Sequence, residues 1–167
     1  SGNLNTVNSL NLYGGTLDIA NYTVTVGGNL TALDLFEANN TSAILASGGS
    51  MTITGAILVA SIQSGYQETF DLTGFTGTIN TNGIGILGNG DIGQLISAAG
   101  NSVVNLGDNL TLNLNEINQG LAIDGDSFYM ESSASGTNTV NAGASTLVLT
   151  GNFELLGGAF NAQTSTI

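Results

Sequence analysis

Carboxylate and amide oxygens are the main chemistry-bearing groups in this sequence, and several of them sit on tight turns. Asp124-Gly125-Asp126, Gly88-Asn89-Gly90-Asp91-Ile92 and Gly107-Asp108-Asn109 each place an Asp or Asn beside glycine. Hard oxygens held on a sharp turn are what Ca²⁺ takes. Asp124, Asp126, Asn89 and Asp91 are therefore the candidate metal ligands, and calcium is the one candidate cofactor. The competing reading makes the same residues plain turn formers, because Asn, Asp and Gly populate turns without any ligand.

Other chemistries fail for want of side chains. The chain holds 12 Asp and Glu but no Lys, Arg or His, and no Cys. A serine nucleophile needs a base near neutral pH, and a zinc hydrolase needs imidazole or thiolate ligands. A glycosidase needs only two carboxylates, yet the 12 acids are scattered singly and nominate no pair. The expectation is a protein that is not an enzyme. A formal charge of −12 with no side-chain cation cannot neutralise phosphates, so nucleic acid is excluded as a partner, and anionic membranes repel the chain. The longest apolar run, Ala56 to Ala60, is far short of the ~20 residues of a spanning helix, so no membrane insertion is expected. Cysteine gives no indication of redox compartment.

The elements that must position these oxygens read as strands. Gly, Asn, Thr and Ser fill 81 of the 167 positions, and 41% of the chain is apolar, enough for one folded domain over 1–167. Apolar and hydroxyl or amide residues alternate in Thr23-Val24-Thr25-Val26, Met51-Thr52-Ile53-Thr54, Leu110-Thr111-Leu112-Asn113-Leu114 and Thr146-Leu147-Val148-Leu149-Thr150. That is the two-residue period of a half-buried strand. Glycine or asparagine bounds nearly every run. Residues 32–46 and 91–99 contain enough Leu, Ala and acidic side chains for short helices. Segments also repeat: Val104-Asn105-Leu106-Gly107 returns as Val140-Asn141-Ala142-Gly143. Gly27-Gly28-Asn29-Leu30-Thr31 is echoed by Gly107-Asp108-Asn109-Leu110-Thr111 and by Gly48-Gly49-Ser50-Met51-Thr52. A unit of roughly 20 residues with insertions accommodates these separations.

On these residues the chain resembles a known family. Residues 10–31, LNLYGGTLDIANYTVTVGGNLT, look like the repeats of secreted bacterial β-solenoids of the filamentous-haemagglutinin and autotransporter-passenger adhesin type. The likeness recurs weakly at 101–115 and 136–158. It implies a secreted surface fibre or adhesin and carries no catalytic residue across. Two smaller likenesses accompany it. Residues 88–92 are similar to one unit of the calcium-binding nonapeptide repeat, which works in stacked consecutive copies. Thr23-Val24-Thr25 and Thr52-Ile53-Thr54 are like the TxT arrays of ice-binding β-helices, which need such a pair on most coils of one face; two dispersed copies read as ordinary outward positions.

The expected fold is therefore all-β, a β-solenoid (β-helix) of short strands with Gly and Asn turns; the alternative is a β-sandwich pilin with a donated terminal strand. The expected function is an extracellular structural protein, a subunit or segment of a cell-surface filament or matrix that self-assembles as a homopolymer through strand edges and apolar end contacts. The alternative is a monomeric surface adhesin or carbohydrate-binding β-helix module. Edge strands need guards, and with no Lys or Pro the candidates are Asp18, Glu37, Glu68, Glu131 and Glu154. A glycan is a possible partner: Asn21, Asn29, Asn39, Asn40 and Asn109 stand in N-glycosylation sequons. Starting at Ser1, the chain reads as a mature product or a segment of a longer one.

Overall fold

The alternation is realised as strand. In the computed structural model, Val24 and Val26 of Thr23–Val26 are buried while Thr23 and Thr25 stand outside, and Met51 and Ile53 are buried in Ser50–Ile53 with Ser50 and Thr52 outside. The structure describes residues 3–6, 8–34, 42–45, 50–61, 67–75, 77–87, 101–108, 110–117, 123–131 and 137–167. Among them every regular element is a strand. In chain order these are β1 (Leu4–Thr6), β2 (Leu10–Leu12), β3 (Gly15–Asp18), β4 (Thr23–Val26), β5 (Leu30–Asp34), β6 (Ser42–Leu45), β7 (Ser50–Ile53), β8 (Ile57–Ser61) and β9 (Gln67–Asp71). They continue as β10 (Thr78–Thr81), β11 (Ile84–Ile86), β12 (Asn101–Asn105), β13 (Thr111–Leu114), β14 (Asp126–Met130), β15 (Thr139–Asn141), β16 (Thr146–Leu149), β17 (Asn152–Leu155) and β18 (Ala159–Asn161).

The helix expectation over 32–46 is corrected at residues 32–34 and 42–45; residues 35–41 and 46 lie outside the described residues. Leu30–Asp34 and Ser42–Leu45 are strands β5 and β6, each bonded on both sides in its sheet. Partners on both sides outweigh the modest helix propensity of Leu and Ala. The second helix candidate, 91–99, lies outside the described residues.

Successive strands go to successive sheets. The first sheet runs β1-β4-β7-β10-β13-β16, the second β2-β5-β8-β11-β14-β17 and the third β3-β6-β9-β12-β15-β18. Every pairing between these strands is parallel. Three strands thus make one round, and six rounds stack. The first round is short, Leu4 pairing with Val24 and Leu10 with Leu30, twenty residues on. The last is as short, with Val140 beside Phe160 and Thr146 bridging Thr166. Middle rounds carry extra residues, as between Ile84 and its partner Phe128.

Inward side chains form apolar columns along the stack. Val24, Met51, Ile79, Leu112 and Leu147 follow one another on the first sheet, and Leu30, Ile57, Ile84, Phe128 and Phe153 on the second. Each fully buried member contributes about 1.5–3 kcal/mol. Phe128 and Phe153 stack with centroids 4.6 Å apart, and Phe160 meets both edge-on. A smaller cluster lies over the outer face of the second sheet, where Ile117 and Ile123 join Leu58, Ala60, Leu87 and Tyr129. This is why β8 is buried on both faces.

One corner recurs between the third and first sheets. Asp18, Asn141 and Asn161 end their strands, and the residue two places on, Ala20, Gly143 or Gln163, has φ of 49°, 60° or 50°. The N–H of Tyr22, Ser145 or Ser165 then closes the turn on the carbonyl of Ile19, Ala142 or Ala162. Left-handed backbone here is a property of the corner, tolerated even without glycine.

Candidate functional site

The expected calcium ligands are divided. Asp124 is exposed, whereas Asp126 begins β14 and is buried. Gly125 between them has φ +95°; its N–H donates to the Ile117 carbonyl, and the Ile117 N–H donates to the Asp126 carbonyl. These bonds hold Ile117 beside Gly125 and Asp126. Among the described residues no three His, Cys, Asp or Glu side chains gather where they could hold a metal. Asn89 and Asp91 lie outside the described residues. Of the sequon asparagines, Asn21 is exposed; Asn29 is engaged, its Oδ1 accepting from the Ala56 N–H at 3.0 Å. Asn39, Asn40 and Asn109 lie outside the described residues.

What the fold leaves open are its two ends. Interior residues of the middle rounds are buried, but the corresponding residues of the first and last rounds are only partly so: Leu4, Leu10, Leu12 and Leu17 at one end, Leu149, Phe153 and Phe160 at the other. Leu155, Leu156 and Ile167 are exposed around the second end. Each end therefore shows apolar side chains beside edge strands, β1, β2 and β3 at one end and β17 and β18 at the other, where β16 is met only at its start by Thr166. Of the expected edge guards, Asp18 on β3 and Glu154 on β17 do lie on edge strands. Glu68 does not: it is fully buried on β9, beside Ser102. Glu131 follows β14 in an inner round, and Glu37 lies outside the described residues.

The three outer faces differ. The second is largely roofed by the Ile117 and Ile123 cluster. The third carries an Asx column in which Asp18, Leu45, Asp71, Asn105, Asn141 and Asn161 occupy successive rungs. Asn141 Nδ2 donates to Asn105 Oδ1 at 2.8 Å, and Asn161 Nδ2 to Asn141 Oδ1 at 2.7 Å. The first is a field of hydroxyls and amides with no charged residue in any of its strands.

A buried polar seam, which sequence reasoning missed, ties the rounds together near the connection from the second to the third sheet. Ser61 N–H donates to Ser102 Oγ, and Ser102 N–H to Asn138 Oδ1 at 2.9 Å. Asn138 Nδ2 donates to the carbonyls of Leu87 and Glu131 at 3.1 and 2.7 Å. Nothing in the sequence marks Asn138 among 21 asparagines. No helix among the described residues is long and apolar enough to cross a membrane. Comparison of the chain with protein-family models, with curated proteins and with solved structures gave no match.

Proposed function

We propose that the chain is a β-solenoid whose rounds are coils, and that it works as a building block of an extracellular, cell-surface filament. Coils of a second copy would stack on each end. The observation that carries this reading is that the apolar columns and parallel ladders continue, partly exposed, into the outermost described strands at both ends of the stack. Parallel ladders that visit three sheets in strict rotation support a solenoid over a sandwich, whose sheets are antiparallel. Stacking in the existing register, with Thr166 and Ile167 giving up the first-sheet rung to Asn3 and Leu4 of the next copy, places Asn11 of one copy above Glu154 of the next on the second sheet, and Asp18 above Asn161 on the third. Each carboxylate meets an amide, so no like charges face each other. A head-to-tail contact of this kind does not close and yields a fibre. The polar, anionic surface and the absence of basic residues suit a hydrated exterior exposed to trypsin-like proteases.

The Asn11→Asp variant tests the register. Asn11 is exposed, so folding should be unaffected, but a carboxylate would now face Glu154 at roughly the 4.8 Å strand spacing. Repulsion on the order of 1 kcal/mol weakens association several-fold at low salt, and salt restores it. Sedimentation of wild type and variant at low and high salt reads this directly. Identical assembly in both at low salt would refute the register. Discrete particles at every concentration would favour the monomeric adhesin or carbohydrate-binding module.

A further inference from the structure

The first sheet has an outer face unlike the other two. Five of its six strands carry a pair of outward residues two positions apart: Thr23 and Thr25, Ser50 and Thr52, Thr78 and Asn80, Thr111 and Asn113, Thr146 and Val148; β1 adds Asn5 alone. None of the paired side chains is buried. Ladder register aligns the first members into one column of hydroxyls, Thr23, Ser50, Thr78, Thr111 and Thr146, continued by the bridge to Thr166. The second members align as Thr25, Thr52, Asn80, Asn113 and Val148. Thr54, expected from the sequence to pair with Thr52, lies in the following corner, and Ser50 takes that place. A hydroxyl or amide pair therefore stands on most rounds of one face, a regularity hidden in sequence because partners lie 27 to 35 residues apart.

We infer that this face binds ice. Three observations carry the inference. The array is two-dimensional and regular: rungs repeat every ~4.8 Å across the strands and pair members every ~6.6 Å along them, and the rung repeat lies near the shorter lattice repeat of hexagonal ice. No register shift interrupts the first sheet among the described residues, whereas the second sheet shifts at Asp126 and Phe128. The face is also free of charge in a chain of −12; a carboxylate would draw water radially around itself and break a planar pattern. Finally, its groups are laterally tied and polar: Ser50 Oγ donates to Thr23 Oγ1 at 3.2 Å and Asn113 Nδ2 to Asn80 Oδ1 at 2.8 Å. A hydroxyl donates and accepts at once, and threonine is stiff about χ1 and held by parallel ladders on both sides. The connections leading into it are short, and Ile117 and Ile123 pack over the second sheet instead. A crystalline polysaccharide fits less well, because none of these strands carries an aromatic ring on which a sugar could stack.

The inference stands apart from end-to-end stacking, since one copy presents the whole array. The test is thermal hysteresis of the purified chain, measured on single ice crystals at concentrations where sedimentation shows single copies. A freezing-point gap that grows with protein concentration is expected. The Thr52→Lys/Thr78→Lys double variant should lose at least five-fold of that gap, while Thr16→Lys on the third sheet keeps it. No gap for wild type overturns the inference whether or not the variants fold, as does an equal loss in Thr16→Lys with its fold intact by circular dichroism. Retention on crystalline chitin or cellulose with no gap would assign the face to polysaccharide instead.

Discussion

Removing the amide of Asn138 tests how the rounds are held together. The side chain is fully buried and satisfies three backbone groups from two successive rounds: the N–H of Ser102 and the carbonyl of Leu87 in one, and the carbonyl of Glu131 in the next. Asn138→Ala leaves all three without their partner. A buried polar group so orphaned costs about 1–3 kcal/mol. The Glu131 carbonyl, in a part-buried bond, recovers some of this from water, so the loss should total about 3–5 kcal/mol. That is a large share of a stability of about 5–15 kcal/mol. Asn138→Asp separates the donor from the acceptor. Its carboxylate still accepts from Ser102 but sets an oxygen against two carbonyls, so burial and repulsion raise its folded-state pKa above the unfolded value of about 3.9. A raised carboxyl pKa leaves the charge penalty absent below about pH 4; it grows with rising pH up to the folded pKa. Relative to wild type at the same pH, Asn138→Asp should therefore be least impaired in acid. Urea denaturation followed by far-UV circular dichroism measures both effects. Losses under 1 kcal/mol in both variants, or a pH-independent deficit for Asn138→Asp, would refute the reasoning.

Three further outcomes follow from the geometry. Gly107→Ala should destabilise by about 3 kcal/mol in the same assay, because a Cβ there would come within 2.5–2.6 Å of the Leu72 and Phe75 carbonyl oxygens, backbone atoms that cannot swing aside. Ala20→Gly should stabilise by about 0.5 kcal/mol: relief of the left-handed strain at φ 49° exceeds the entropy glycine adds to the unfolded chain, and a lower melting temperature would contradict it. Excess EDTA should leave the melting temperature unchanged if Asp124 and Asp126 serve as turn residues, and a drop reversed by Ca²⁺ would restore them as ligands.

The sequence discloses the strands and part of their register. Val104-Asn105 and Val140-Asn141, a repeat in the sequence, are direct ladder partners. The similar Gly27-to-Thr31 and Gly107-to-Thr111 segments are not: Leu30 opens a strand of the second sheet, whereas Thr111 opens one of the first. Short Gly and Asn corners look alike wherever the chain turns, so composition does not say which corner is which. A stronger signal was present, the Asx residue followed two places on by a left-handed one at Asp18, Asn141 and Asn161, but φ is not visible in a sequence. Glu68 was misjudged because alternation places it inward on β9, and a charge is expected outside. The paired hydroxyl columns and the Asn138 seam are products of stacking, assembled from residues far apart in the chain, and no local window contains them.

Electron microscopy across a concentration series bears most directly on the central claim, that apolar strand-edged ends receive further coils. Rods of constant width that lengthen as concentration and salt rise are the expected result. Uniform single-copy particles at every concentration and salt would contradict it.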